Sequence, residues 1–269
     1  MRWRDLRLSR AAPHPYGGFT SGWARVGGVR LHVRERTGPD AGPGYVLVHG
    51  LAVSHRYLTP TAARLRRPVA IPDLAGFGLS DKPVRVLRVP DHARVLADWL
   101  DARGAGPVCL LANSYGCQVA VELAVCRPDL VAALVLVGPT VDPAAASVPG
   151  QVGRWLRDLL REDPRQALIL GRDVRDAGPR RIAATLRDSV RDRIETKLPR
   201  VTASTLLVRG ARDPLAPARW LAAAARLLPD AATVEIPAAA HNAVTTAGAQ
   251  VAAAADGFLD RTAPLRGTG

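Results

Sequence analysis

Three residues of this chain have the types and the surroundings that nucleophilic acyl-transfer chemistry needs. Ser114 stands in Ala112-Asn-Ser-Tyr-Gly116, between the wholly apolar run Val108–Ala112 and a helix-like run Tyr115–Cys126. A strand that turns into a helix within a residue or two needs small residues two before and two after the serine. Gly116 supplies one, and Ala112 departs from glycine by a single methyl group. Such a turn holds the hydroxyl out above a sheet. A serine hydroxyl is a poor nucleophile until a base takes its proton, and the base needs an acid to orient it. His241 follows the last apolar run, in Pro237-Ala-Ala-Ala-His-Asn242, and Asp213 follows the one before it, in Arg209-Gly-Ala-Arg-Asp-Pro214. Each alone has a plainer reading: Ser114 as a helix N-cap, Asp213 as a turn residue before Pro214, His241 as a loop histidine. Together they place three complementary groups at the ends of three successive strands, which is where open parallel sheets carry their sites.

The elements that position these residues alternate between strand and helix. Trp23–Val26 and Val29–Glu35 flank Gly27-Gly28 and predict a hairpin. Tyr45–His49, Val69–Pro72, Val108–Ala112, Ala133–Val137, Thr205–Arg209 and Thr233–Ile236 are short apolar runs, and Val108–Ala112 has no polar residue, as in a strand buried on both faces. Helices are expected at Asp91–Arg103, Tyr115–Cys126, Pro217–Leu228 and Ala247–Leu259. This alternation implies an α/β fold, with a mostly parallel central sheet, right-handed crossovers and helices on both faces. Between Asp142 and Pro199 the rhythm breaks. No strand is evident there, and Gln151–Arg161, Pro164–Gly171 and Arg180–Lys197 read as helices. The expected organisation is an N-terminal arm over 1–20, a core over 21–141 and 200–269, and a small helical cap over 142–199. On this reading Trp155, Leu156, Leu159 and Leu160 turn inward as an apolar wall facing the serine, while Arg154, Arg157 and Arg161 reach solvent or an anionic group.

Composition narrows the function. The 269 residues carry a net charge of +13, but only Lys82 and Lys197 among the 37 basic residues are lysines. The arginines are scattered, with no basic stripe interleaved with aromatics, so a nucleic-acid partner is not expected. A basic field can still favour an anionic small molecule. Cys109, Cys117 and Cys126 form no C-x-x-C pair and are read as buried reduced thiols, which suits a cytoplasmic protein. Neither a metal site nor a cofactor is expected. Met1–Tyr16 lacks the continuous apolar stretch of a secretory signal, and no run approaches the length of a membrane span.

From about residue 23 to 260 the chain resembles the α/β-hydrolase superfamily. The resemblance rests on the order Ser114, Asp213, His241, on His49-Gly50, on Asp73-Leu-Ala-Gly-Phe-Gly-Leu-Ser80 with Asp81-Lys-Pro83, and on Leu134–Pro139. It implies the α/β-hydrolase fold, a catalytic triad of those three residues, and an oxyanion hole made by the backbone N–H groups of Leu51 and Tyr115. Some relatives place the acid where Asp142 stands. His49 would hold the oxyanion loop, and with Asn113 and Trp155 it is counted among the candidate pocket residues. Relatives that act as haloalkane dehalogenases or epoxide hydrolases carry aspartate at the elbow, where this chain has serine. What remains is serine hydrolysis of a carboxylic ester or related small molecule. Asn113-Ser114-Tyr115-Gly116 also resembles the carbon–carbon bond hydrolases of dienol acids, in which Arg172 or Arg175 would meet the carboxylate. The fold also hosts small-molecule receptors, lyases and biosynthetic cyclases.

Overall fold

A computed structural model describes residues 18–39 and 42–262. The proposed N-terminal arm lies outside the described residues up to position 17, and Thr20 already opens the first strand. Strands β1 (Thr20–Val26), β2 (Val29–Arg36), β3 (Tyr45–Val48), β4 (Val69–Pro72), β5 (Val108–Asn113), β6 (Val131–Val137), β7 (Ser204–Gly210) and β8 (Ala231–Ile236) form one sheet in the order β1-β2-β4-β3-β5-β6-β7-β8. The β1–β2 and β2–β4 pairs are antiparallel, and the other pairs are parallel. The hairpin turns at Gly27 and Gly28, both at positive φ.

Helices α1 (His55–Ala62), α2 (Val89–Ala102), α3 (Tyr115–Cys126), α8 (Ala218–Leu227), α9 (Ala243–Thr246) and α10 (Gly248–Thr262) flank the sheet, and α4 (Val148–Leu159), α5 (Ala167–Ala177), α6 (Pro179–Arg191) and the short α7 (Ile194–Lys197) lie between β6 and β7. The pleat of β5 shows why the central strands are wholly apolar. Val108, Leu110 and Ala112 join one buried cluster with Leu96 and Trp99 of α2 and Val119 and Leu123 of α3. Cys109 and Leu111 join the other, with Leu58 of α1 and Val251 and Phe258 of α10. Successive side chains therefore serve opposite helical layers, and each large one removed from water contributes roughly 1.5–3 kcal/mol.

Several elements depart from the sequence reading. Helix α1 was not expected, since His, Thr and Pro60 give it poor intrinsic propensity; Ser54 caps it, and Tyr57, Leu58 and Ala62 bury one face. In the insertion, the second helix runs through Gly171 to Ala177, where Gly178 at φ +78° ends it and Pro179 starts the next. Cys126, expected to be buried, is exposed at the end of α3, because its neighbours on the buried face are Leu123 and Ala124. Cys109 and Cys117 are buried, and all three thiols are free. Among the described residues no helix is long and apolar enough to cross a membrane.

Candidate active site

The sheet order reverses around β3: β4 lies on one side of it and β5 on the other. The carboxyl ends of β3 and β5 diverge there, leaving the crevice in which open α/β sheets bind ligands. Gly50 follows β3 and Ser114 follows β5, so close that a Cβ on Gly50 would stand 3.2 Å from the Ser114 Cβ. Ser114 has φ 54° and ψ −122°, a conformation that non-glycine residues rarely adopt. Its own N–H is held by the Val137 carbonyl at 3.1 Å. Gly116 is the strict requirement of the turn, since a Cβ there would lie 2.4 Å from the Val48 carbonyl oxygen. Ala112 is fully buried, so its methyl group is accommodated within the core.

His241 and Asp213 meet at the ends of β8 and β7. His241 Nδ1 lies 2.9 Å from Asp213 Oδ2, while Asp213 Oδ1 accepts the N–H groups of Leu215 (2.8 Å) and Ala216 (3.0 Å). Each carboxylate oxygen therefore has one job, and the ring is oriented with Nδ1–H toward Asp213. Burial raises the Asp213 carboxyl, but His241 and those two N–H donors outweigh it and hold it below its ordinary value. Burial works against the imidazolium of His241, yet the Asp213 carboxylate, with further help from Asp158 and Glu162, raises it. His241 Nε2 is buried without a hydrogen-bond partner, and His241 and Ser114 line one cavity. Among the described residues neither the Leu51 nor the Tyr115 N–H has a backbone acceptor, and both residues line the same cavity.

The other candidates separate clearly. Asn113 lines the cavity; its Nδ2 donates to the Val137 carbonyl at 3.0 Å and its Oδ1 is 3.0 Å from the Tyr57 hydroxyl. Trp155 also lines the cavity. His49 does not, which corrects its assignment as a pocket residue. Its ring is fully buried, with Nδ1 2.8 Å from the Gly50 carbonyl and Nε2 accepting the Leu74 N–H at 2.9 Å, so it spans two loops instead. Asp142 is not beside His241. It starts the insertion, where Oδ1 accepts the Ala144 N–H and Oδ2 meets Arg154 and Arg219, each at 2.7 Å. The inward wall expected of α4 is also corrected: Leu156, Leu159 and Leu160 face outward, because Gln151 and Asp158 occupy the buried side of that helix. Arg172 and Arg175 do not line the cavity.

Sequence reasoning missed four contributors. Gly138, at φ +57°, passes so close to the histidine that a Cβ would stand 3.0 Å from its ring and 3.1 Å from Asp213 Oδ2; glycine between β6 and Pro139 was its signal. The Tyr57 hydroxyl lies 2.6 Å from Asn242 Oδ1 as well as near Asn113. Asp158 Oδ1 accepts the His241 backbone N–H at 3.1 Å, and Glu162 Oε1 accepts the Asn242 N–H at 2.6 Å. No spacing in the sequence points to Tyr57, Asp158 or Glu162. The structure also gathers His32, His55 and Asp73, whose potential ligand atoms lie within 4.8 Å of one another. There both imidazoles sit on the Asp73 carboxylate through Nδ1, at 2.9 and 2.8 Å, and it also accepts the N–H groups of His55 and Leu79. That network explains the Asp73–Ser80 loop: Ser80 Oγ donates to the Asp73 carbonyl and accepts the His32 N–H, closing the loop around the buried acid.

Residues 45–254 match the family model described as Alpha/beta hydrolase family, and the chain belongs to that family. It is 38% identical over 141 residues to lipase LipV of Mycobacterium tuberculosis, covering 52% of this chain and 53% of that protein. It is 31% identical over 165 residues to a haloalkane dehalogenase of Mycolicibacterium paratuberculosis, covering 59% of this chain and 53% of that one. The chain thus spans about half the length of the curated relatives it matches. A solved thermophilic esterase from Thermogutta terrifontis has the same fold, with a TM-score of 0.77 and 22% identity over 91% of this chain and 99% of its own.

Proposed function

We propose that this member of the α/β-hydrolase family is a serine hydrolase that cleaves an uncharged carboxylic ester or a related small molecule through an acyl-enzyme. The observation that carries the reading is the shared cavity. Ser114 projects into it from a left-handed backbone, and His241 faces it with a buried, unpartnered Nε2 while Nδ1 is held on Asp213. In this assignment Nε2 takes the Ser114 proton as Oγ attacks the carbonyl carbon. The N–H groups of Leu51 and Tyr115 receive the oxyanion, a stabilisation realised only in the transition state. The imidazolium returns its proton to the departing alkoxide, leaving the acyl group on Ser114. Water then repeats the sequence, giving up a proton to His241, and releases the acid.

The lining argues for the substrate class. Leu51, Val53, Val152, Trp155, Ile182 and Leu186 supply much of the wall, and among the described residues no Lys, Arg, Asp or Glu side chain lines it. An apolar acyl chain gains contact there, whereas a carboxylate would lose its hydration without a cation in return. That ranks a dienol acid behind a neutral ester. A fluorophosphonate should label the protein once, at Ser114, and not label Ser114→Ala. The unlabelled enzyme should turn over p-nitrophenyl esters. Labelling elsewhere ends the assignment, binding without turnover points to a receptor, and preferred turnover of a carboxylate-bearing dienol overturns the substrate class.

A further inference from the structure

Helix α4 is amphipathic in the inverted sense. Its buried positions are Gln151 and Asp158, while the apolar stripe Val152, Trp155, Leu156 and Leu159, spaced i, i+3, i+4 and i+7, is exposed, with Leu156 and Leu159 facing outward and Val152 and Trp155 at the rim of the cavity. Trp155, Leu156, Leu159 and the following Leu160 are 45, 58, 60 and 88% exposed, and Leu168 of the neighbouring α5 is 86% exposed. Of the nine large apolar residues exposed among the described residues, six lie on this helix pair and its connection. An exposed apolar stripe of this kind along a helix marks an interaction site. The cavity reaches the surface at the same place, because Val152 and Trp155 line it and are themselves partly exposed.

The charge around the stripe identifies its occupant. Arg157, Arg161, Arg172 and Arg175 are exposed on α4, α5 and the segment between them, and none has a carboxylate partner among the described residues. Most acids of the same stretch are withdrawn: Asp158 and Asp173 are buried, Glu162 bonds the Asn242 N–H, and Asp176 pairs with Arg56. An apolar helix face rimmed by arginine suits an anionic lipid surface, in which the apolar side chains enter the acyl boundary and the guanidinium groups meet the phosphates. We propose that the outward face of α4, with Leu168, docks this protein on anionic lipid bilayers and sets the mouth of the cavity against the membrane. The inference is independent of the chemistry assigned to Ser114.

Co-sedimentation of the full chain with vesicles tests it. Binding to equimolar phosphatidylglycerol and phosphatidylcholine should be at least tenfold tighter than to phosphatidylcholine alone, since each basic residue at an anionic surface contributes about fivefold. It should weaken in 0.5 M salt, the concentration at which screening reaches a few ångströms, on the order of 4 Å. Leu156→Ser/Leu159→Ser should abolish binding and keep the circular dichroism spectrum of the unsubstituted chain, as both residues are exposed. Arg157→Ala/Arg172→Ala, which leaves the apolar stripe intact, should remove the preference for phosphatidylglycerol. Absence of binding to the anionic vesicles overturns the proposal, as does binding that both variants retain. A concentration-dependent dimer that Leu156→Ser/Leu159→Ser dissociates would assign the stripe to a second copy of the chain instead.

Discussion

The sheet core and the helical insertion solve the same problem with opposite materials. In the core, every residue of β5 is buried, and Val, Leu and Ala divide between two helical layers. In helices α4, α5 and α6 of the insertion most buried residues are polar: Gln151 and Asp158 on α4, Asp173 with Ala177 on α5, Thr185 and Ser189 on α6; the insertion then closes on the buried apolar Ile194 and Leu198. Three of the polar residues, Asp158, Asp173 and Ser189, hold the insertion to the core by directed bonds. Ser189 Oγ donates to Gln118 Oε1 at 2.6 Å, Ser54 Oγ to Asp173 Oδ2 at 2.8 Å, and Arg56 pairs with Asp173 at 2.6 Å. Burial by area is non-directional and tolerates repacking. Buried polar contacts fix one geometry, and leaving either partner unsatisfied costs about 1–3 kcal/mol. The core therefore gives rigidity to the residues at the strand ends, and the directed bonds give register to the insertion, whose apolar side chains are left for the cavity mouth and for solvent.

The largest effects should come from the core. Ser114→Ala should abolish turnover, and Asp213→Asn should lower kcat by about 10⁴, the scale seen when the acid of a serine-protease triad is neutralised. Asp142→Asn should leave kcat near wild type, because that carboxylate serves Arg154 and Arg219. Parallel measurements on one ester separate the two acids. If the Asp142 variant were the more damaged, the assignment of Asp213 would fail. Gly138→Ala comes next. The new methyl group would press on the His241 ring from a backbone already at φ +57°. Displacement of a catalytic group by about 1 Å costs about 10²-fold, so kcat should drop on that order while fluorophosphonate still reaches Ser114. Full activity in this variant would mean that the ring position is not limiting.

The core was readable because its pattern is redundant. Six apolar runs of strand length, a serine with small residues two before and two after it, and an acid and a histidine after successive strands agree with one another; in the structure Ser114 and His241 line one cavity and Asp213 lies against the far nitrogen of the His241 ring. Helix α1 was not legible, since its sequence His-Arg-Tyr-Leu-Thr-Pro-Thr-Ala disfavours a helix and forms one only against α9 and α10. The cap was legible as helices but not in orientation. A period of 3.6 locates an apolar stripe without saying which way it faces, and the usual inference that it faces inward fails for α4, where Asp158 is required beside the histidine loop. Contacts such as Tyr57 with Asn242, or Glu162 with the Asn242 N–H, join residues 80 or more positions apart and leave no trace in local spacing.

Among cap side chains, Trp155 and Leu159 share the stripe and differ in whether they reach the cavity. Trp155→Ala should flatten the dependence of kcat/KM on acyl chain length by up to about tenfold, since loss of roughly 50 Å² of apolar contact is worth a little over 1 kcal/mol. Leu159→Ala should leave the ranking unchanged. A series of p-nitrophenyl esters of graded length measures both. Equal effects from the two substitutions would break the distinction between the cavity side and the outward side of α4.

The smallest expected effect is the most specific to the junction of cap and core. Asp158 is buried on α4, and burial, reinforced by Glu162 and Asp213, raises its carboxyl to about 6 despite the attraction of His241. Above that pH it carries a negative charge beside the histidine loop. In the proposed mechanism His241 must be neutral to accept the Ser114 proton, so activity should rise with pH as the imidazolium is lost, and each nearby carboxylate should push that rise to higher pH. Asp158→Asn keeps an oxygen for the His241 N–H but removes the charge. The acid limb of kcat/KM should therefore move to lower pH, by less than about one unit, because Asp158 touches the main chain of His241 while Asp213 holds its ring. The two profiles should converge below about pH 6, where Asp158 is itself protonated, and differ most between there and the raised imidazole value. A shift to higher pH, or identical profiles throughout, would show that the cap orients the histidine loop without acting on its charge.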